Sequence, residues 1–289
     1  MSSSRGALMK WKEYEGEAWE LDMISAYFSI ITKNTFLVPT KRGTFKTIDD
    51  FSEHLEFGIY RCLISGFQPD SCWFTRWNEE LDWYTSIDIK AFRELGLTIE
   101  LIHDGKPNFL HYDGQSRVKG DKVFGSFKDE LFGFKQQNLP DAKLMINGFI
   151  GALSMVDTVT KTVHEESKKI QYLKETEEIH DVEDFTVDAK NGLVVKYNVV
   201  DTNSYFETPF ARVKPFIYSQ IRLVMMRLIR PHLDKVVRIH TDGIILSEKI
   251  EVATGNELGD FKYKLYCPHA VIKGMNNITP RKVEWEELE

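Results

Sequence analysis

The sequence predicts an α+β fold, and three observations carry that expectation. Strand-like and helix-like segments are mixed without the regular alternation of a parallel α/β sheet. Asn-Gly and Asp-Gly pairs lie between extended runs, where antiparallel hairpins turn. Of the 289 residues, 42% are hydrophobic and 12% aromatic, enough to bury a sizeable core.

Taken in order, "EAWELDMISAYFSIITKN" (17–34) reads as a strand ending at Leu21 and Asp22, followed by a helix with Ser25 near its start. "EFGIYRCLISGF" (56–67) alternates like a strand. "WYTSIDIKAFRELG" (83–96) reads as a helix capped by Ser86 and closed by Gly96. A strand and a turn follow in "LTIELIHDGKPNFLHYDG" (97–114). Residues 124–155 read as two helical segments, with Pro140 in the first turn of the second. The stretch 157–208 is polar and charged, with a hairpin at Asn191 and Gly192. "ARVKPFIYSQIRLVMMRLIRPHL" (211–233) reads as an amphipathic helix with Ile217, Ile221, Val224 and Leu228 on one face and Arg222 and Arg227 off it. "KVVRIHTDGIILSE" (235–248) is a hairpin, and the tail from residue 256 reads as short strands.

The formal charge of −7 argues against a uniformly basic nucleic-acid coat and leaves room for a local basic groove. Cys62, Cys72 and Cys267 are odd in number and widely spaced, which suits a reducing compartment and offers no metal knuckle. No apolar run approaches the ~20 residues of a membrane span. The N-terminus lacks the apolar core of a signal peptide, so the chain reads as soluble and cytoplasmic, with no membrane partner.

The hairpin at 235–248 raises a chemical question, because it carries a carboxylate, Asp242, at its tip. Taken alone, Asp-Gly is a common turn, Asp22 a common helix cap, Lys143 a solvated helix lysine and Tyr27 a core aromatic. Two carboxylates at neighbouring strand ends form a different object. They offer hard oxygen ligands to a pair of Mg²⁺ ions, for which Mn²⁺ can substitute, and two such ions clamp an in-line phosphoryl transfer. In "KLMINGFIG", Lys143, Asn147 and Gly151 fall on roughly one helix face, where the lysine can neutralise a triphosphate.

These residues carry a resemblance. "DMISAYFS" resembles motif A of the family B DNA polymerases, with Asp22, Ser25, Tyr27 and Ser29 matching and Phe28 in place of proline. "KLMINGFIG" resembles motif B, and "HTDG" resembles motif C, with Thr241 and Asp242 matching and His240 and Gly243 departing. The order is the family's order. "SRGA" (4–7), "LGDFKYK" (258–264) and the helix before motif C are similar to segments of the protein-primed branch found in phages, viruses and linear plasmids.

The resemblance implies a polymerase palm, an antiparallel sheet with packed helices, and small helical fingers. Residues 1–123 would be the N-terminal part of the palm with an inserted subregion, 124–155 the fingers, and 156–289 the C-terminal part of the palm with a polar insertion at 157–208. An exonuclease domain would be lacking and a thumb absent or minimal. Asp22 and Asp242 would be catalytic and, with Met23, metal-binding. Tyr27, Ser25, Lys143, Asn147 and Lys135 would bind the nucleotide. Arg5, Gly6, Gly151, Lys264, Tyr266 and Lys273 would contact DNA, and His240 and Thr241 would lie near the site. Partners would be primer–template DNA and dNTPs, with a terminal protein, a separate exonuclease or a processivity subunit acting in trans.

Two departures bear on activity. His240 and Lys264 each stand where the family has a carboxylate, and both lower the negative charge beside the metals. Two functions therefore stand side by side: a template-directed DNA polymerase core, or a catalytically weakened polymerase-like DNA-binding subunit that needs a partner. Arg222, Arg227 and Arg230 either line a template groove or solvate the outer face of their helix.

Overall fold

The computed structural model describes residues 6–75, 82–137, 139, 141–153, 156–164, 179–188, 192–205 and 210–288; for 143, 147, 150, 156–164, 179–188 and 192–205 it describes the backbone. Strands β1 (Met9–Trp11) and β2 (Tyr14–Met23) lead into helix α1 (Ala26–Ile31). Next come β3 (Leu37–Pro39), β4 (Thr44–Lys46), β5 (Gly58–Ser65), β6 (Trp83–Thr85), α2 (Ser86–Glu94), β7 (Thr98–Leu101), β8 (Phe109–His111) and β9 (Arg117–Lys119). Helices α3 (Gly120–Gln136) and α4 (Ala142–Ala152) precede β10 (Val156–His164), β11 (Ile179–Asp188) and β12 (Gly192–Tyr205). Helix α5 (Lys214–Ile229) is followed by β13 (Val236–His240), β14 (Gly243–Leu246), β15 (Phe261–Ile272), β16 (Ile278–Thr279) and β17 (Glu286–Glu287). The fold is α+β, with mixed helices and antiparallel sheets.

The chain divides into two compact units, Met1–Ile150 with Arg212–Glu289, and Gly151–Ala211. The smaller unit holds an antiparallel sheet in the order β10-β12-β11, with Asp188 paired to Gly192. Asn191, the expected turn residue, lies outside the described residues, as does Pro140.

The larger unit is built around a seven-stranded sheet in the order β1-β13-β14-β2-β15-β16, with β17 on β15. Its pairings are antiparallel. β2 lies between β14 and β15, and its alternation splits it between two faces. Leu21 and Met23 are buried on one face. Ala18 on the other joins Val237, Ile245, Cys267 and Trp285 in a buried cluster. Glu20 and Asp22 continue the Ala18 face towards the strand end. A second cluster, with Tyr60, Tyr84, Ile89 and Phe109, packs α2 on the sheet of β4, β8, β5 and β6.

Three local readings change and one, the closing glycine of α2, holds. Thr85, not Ser86, caps α2: its hydroxyl accepts from the Asp88 amide, and Asp88 accepts from the Thr85 amide. Gly96 closes the helix at φ +76°, a conformation that favours glycine. The tail carries one 12-residue strand, β15, rather than short ones. Pro268 hid it, because a proline inside an apolar run argues against a central strand. The register shifts between Cys267 and Ala270, so Pro268 falls in a bulge where no ladder donor is needed. Finally, Arg222 does not lie off the buried face of α5. It is 4% exposed and bound to Asp88, because α5 packs against α1 and α2 and is enclosed on several sides, while Val224 and Leu228 are only half-buried.

Gly120 fixes where α3 begins. Its amide donates to the Phe36 carbonyl at 2.8 Å, and a Cβ placed there would lie 2.0 Å from the Ile31 carbonyl oxygen. Gly120→Ala is therefore expected to destabilise the protein by ~1–3 kcal/mol through overpacking against immobile backbone. Urea unfolding beside Gly125→Ala, where a Cβ meets nothing within 4 Å, checks it.

Candidate active site

The end of β2 places Asp22 between two partners, Gly243 of β14 and Lys262 of β15. Gly243 leaves Asp22 room: a Cβ there would lie 3.2 Å from Asp22 Oδ1. In the β13–β14 hairpin His240 pairs with Gly243, so the two-residue turn is Thr241-Asp242 rather than Asp-Gly. Thr241 adopts φ +61°, and its amide donates to the Leu8 carbonyl at 2.8 Å. The Asp242 carbonyl accepts from the Met23 amide at 3.2 Å. That bond ties the turn to the end of β2, so the two aspartates are held by adjacent strands.

Asp22 and Asp242 line one cavity of about 850 Å³, together with Met23, Ser25, Tyr27 and Lys135. The Thr241 hydroxyl donates to Asp242 Oδ1 at 2.5 Å. Burial pushes the Asp242 carboxyl up from the ordinary range and the charge of Asp22 adds to it, against the Thr241 hydrogen bond and Lys264. Lys264 is ion-paired to Asp22. The β15 register slips by one residue between Tyr263 and Leu265, and Lys264 is the residue left over, aimed at Asp22 by the bulge.

Ser25, at φ 48° and ψ 49°, begins α1 without a side-chain cap; its hydroxyl instead accepts from Lys135 Nζ at 2.6 Å. Tyr27 packs edge-on to Tyr218 with ring centroids 5.6 Å apart. Burial first, then the charge of Asp242, raises the Tyr27 hydroxyl pKa, so the ring stays neutral at physiological pH. His240 does not line the cavity. Burial, then Arg238 and Lys282, lower its pKa, with Asp242 opposing, so it is neutral at pH 7.

The remaining expected residues are less gathered. Lys143 and Asn147 lie in α4, with their side chains outside the described residues, while Ile146 of that helix lines the cavity. Gly151 is exposed in the same helix. Arg5 lies outside the described residues, and the Gly6 carbonyl accepts from Arg222 at 2.5 Å. Tyr266 packs on Trp19 with the rings tilted by 34° and their centroids 4.1 Å apart, and it is not among the residues lining the cavity. Lys273 starts the turn after β15, and its amide donates to the Asn277 carbonyl at 3.0 Å. Neither alternative for the α5 arginines holds for Arg222, which is buried; Arg227 pairs with Glu94, and Arg230 donates to the Glu94 carbonyl.

Sequence reasoning missed Glu20, Lys262 and Lys282. Glu20 is two residues before Asp22, so strand periodicity alone puts it on the same face. Lys262 lines the cavity, and Lys282 is ion-paired to Glu20. No sequence signal reveals that pair. Among the described residues, no group of three or more His, Cys, Asp or Glu is arranged as a metal cage. The donors present are two carboxylates whose mutual repulsion a divalent cation would relieve, a set that fits Mg²⁺ or Mn²⁺ completed by ligand oxygens.

No protein-family model and no curated protein sequence matches the chain. Solved structures do. A ternary complex of Phi29 DNA polymerase with primer-template DNA and incoming nucleotide substrates superposes with a TM-score of 0.60 at 18% identity, over 93% of this chain and 47% of that one. The fold is polymerase-like. Phi29 DNA polymerase complexed with single-stranded DNA gives a TM-score of 0.63 at 14% identity over 99% of this chain, and the primer-template binary complex gives 0.56 at 17%. The chain spans about half the length of the structures it matches, 52% of that single-stranded complex. At these identities the likeness is one of fold. Among the described residues, no helix is long and apolar enough to cross a membrane.

Proposed function

We propose that the chain is the palm-and-fingers core of a template-directed DNA polymerase of the family B, protein-primed type. It transfers a nucleotide from a dNTP to a primer 3′-hydroxyl or a protein hydroxyl. One observation carries the reading: Asp22 and Asp242, on adjacent strands of a polymerase-like fold, line a single cavity with Tyr27 and Lys135. The DNA and nucleotides bound to Phi29 DNA polymerase support primer–template and dNTP as ligands here. A terminal protein or a processivity subunit is a partner on this reading, and the source is a phage, virus or mobile element.

In the reaction the primer oxygen joins the α-phosphorus as pyrophosphate leaves. Asp22, Asp242 and Met23 would hold the divalent cations, two in the working complex, and when bound these would supply charge stabilisation for that transfer. The chain's own residues do the positioning. Lys135, steadied by Ser25, and Lys262 present ammonium groups to a triphosphate. Tyr27, neutral and braced by Tyr218, offers a rigid ring to the incoming sugar. Lys143 and Asn147 complete the nucleotide contacts, and Arg5, Gly6, Gly151, Tyr266 and Lys273 the DNA contacts.

The test is extension of a labelled primer on a DNA template with dNTPs in Mg²⁺ and separately in Mn²⁺. Extension that chelation abolishes is the expected result. The Lys264–Asp22 pair favours one other reading, the weakened DNA-binding subunit. Primer–template binding with no extension in either metal would establish that reading instead.

A further inference from the structure

The cations already standing at the site limit what it accepts. β2 presents two carboxylates on one face, and each is taken by a lysine from a later strand or turn: Glu20 by Lys282 and Asp22 by Lys264. Asp242 differs. Its one described side-chain hydrogen bond comes from the neutral Thr241 hydroxyl, and it has no ion-pair partner among the described residues. Lys264 reaches Asp22 by construction, as the surplus residue of a bulge whose flanking pairs, Tyr263 with Leu21 and Leu265 with Glu20, are fixed by the ladder. A second lysine, Lys262, pairs directly with Asp22 across the strands and lines the same cavity. Among the described residues, the cavity wall thus sets two carboxylates, Asp22 and Asp242, beside three lysines, Lys135, Lys262 and Lys264.

We propose that the Lys264 ammonium is the resident cation of Asp22, so that the free chain takes one divalent cation, at Asp242, where two bare aspartates would take two. An ammonium and a divalent ion compete for the same carboxylate oxygens, and they repel each other at contact. A bulge-mounted lysine holds its charge there without the dehydration that Mg²⁺ resists. The second divalent position opens only when Lys264 is drawn off, and a nucleotide triphosphate is the anion the cavity is charged to receive. The inference rests on the polymerase reading only in taking the two aspartates as the metal ligands.

Titration of the free chain with Mn²⁺ alone, following the paramagnetic signal of unbound metal, tests this. The Asp22→Asn, Asp242→Asn double variant sets the background from other acidic groups. The wild type is expected to hold one Mn²⁺ above background, lost in Asp242→Asn and unchanged in Asp22→Asn. Lys264→Gln removes the ammonium and brings only a neutral amide oxygen, a far weaker ligand than a carboxylate, and it is expected to hold two, the second lost when Asp22→Asn is added. The Lys264 side chain is 45% exposed, so this variant should fold, and its melting curve checks that. The proposal is overturned if the wild type holds none or two, if Asp22→Asn lowers its count, or if Lys264→Gln gains nothing. Primer extension run on the same samples separates the two ideas. One ion without extension keeps the inference and rejects the polymerase; extension with two ions in the wild type does the reverse.

Discussion

Asp242→Asn is expected to lower primer extension by about 10²–10³-fold, the size of effect seen when one preorganised electrostatic group is removed. The substitution keeps shape and the acceptor for Thr241, so the hairpin turn and its bond to Met23 survive. What goes is a negative charge that the fold itself disfavours. Burial and Asp22 raise the Asp242 carboxyl pKa, so ionising it costs stability. For an acid with a raised pKa, stability is fully present below the unfolded value and is lost as pH rises through the folded one. In metal-free buffer the variant should therefore melt no lower than the wild type at neutral pH. Its advantage should shrink as pH falls towards the ordinary aspartate range. Adding Mn²⁺ should raise the wild-type melting temperature and leave the variant's unchanged, because only the wild type offers the ligand. A variant that melts well below the wild type would show that Asp242 is a structural turn residue.

Arg222→Ala is expected to cost about 3–5 kcal/mol of stability, the usual result of stranding one member of a buried ion pair. Arg222 donates to Asp88 Oδ1 from Nη2 at 2.7 Å and from Nε at 3.2 Å, to the Gly6 carbonyl at 2.5 Å and to the Ser219 hydroxyl at 2.9 Å. Asp88 Oδ2 also accepts from the Ser219 hydroxyl at 2.8 Å and the Thr85 hydroxyl at 3.0 Å. Removing the guanidinium leaves a 3% exposed carboxylate that, among the described residues, faces only neutral donors, and it releases the Gly6 segment. Lysine should not rescue it, since one ammonium cannot span three acceptors held by a planar fork. Arg227, less than two turns along the same helix, is the internal control. Its pair with Glu94 is half exposed, and Arg227→Ala should cost no more than ~1 kcal/mol. Equal urea midpoints for the two variants would contradict this account.

The contrast between those arginines shows where sequence reading stops. Both fall off the stripe of Ile217 and Ile221, and nothing local separates them. Only the approach of α2, which brings Asp88 against one and Glu94 against the other, makes the first a core residue and the second a surface one. Lys264 is a similar case. Its place in "LGDFKYK" was visible, but its aim at Asp22 depends on a bulge in a strand that Pro268 disguised.

By itself the sequence determined what short-range chemistry controls. The α+β class, the strand that delivers Asp22, the helix closed by Gly96 and the hairpin carrying Asp242 all follow from periodicity and turn residues within a few positions of each other. The tertiary structure alone decided what depends on register. It moved the turn to Thr241-Asp242, and it set Lys264 on Asp22 and Lys282 on Glu20 across 242 and 262 residues of chain. A one-residue slip sends every strand side chain to the opposite face, so charges that far apart meet only after the ladder has fixed their pairing.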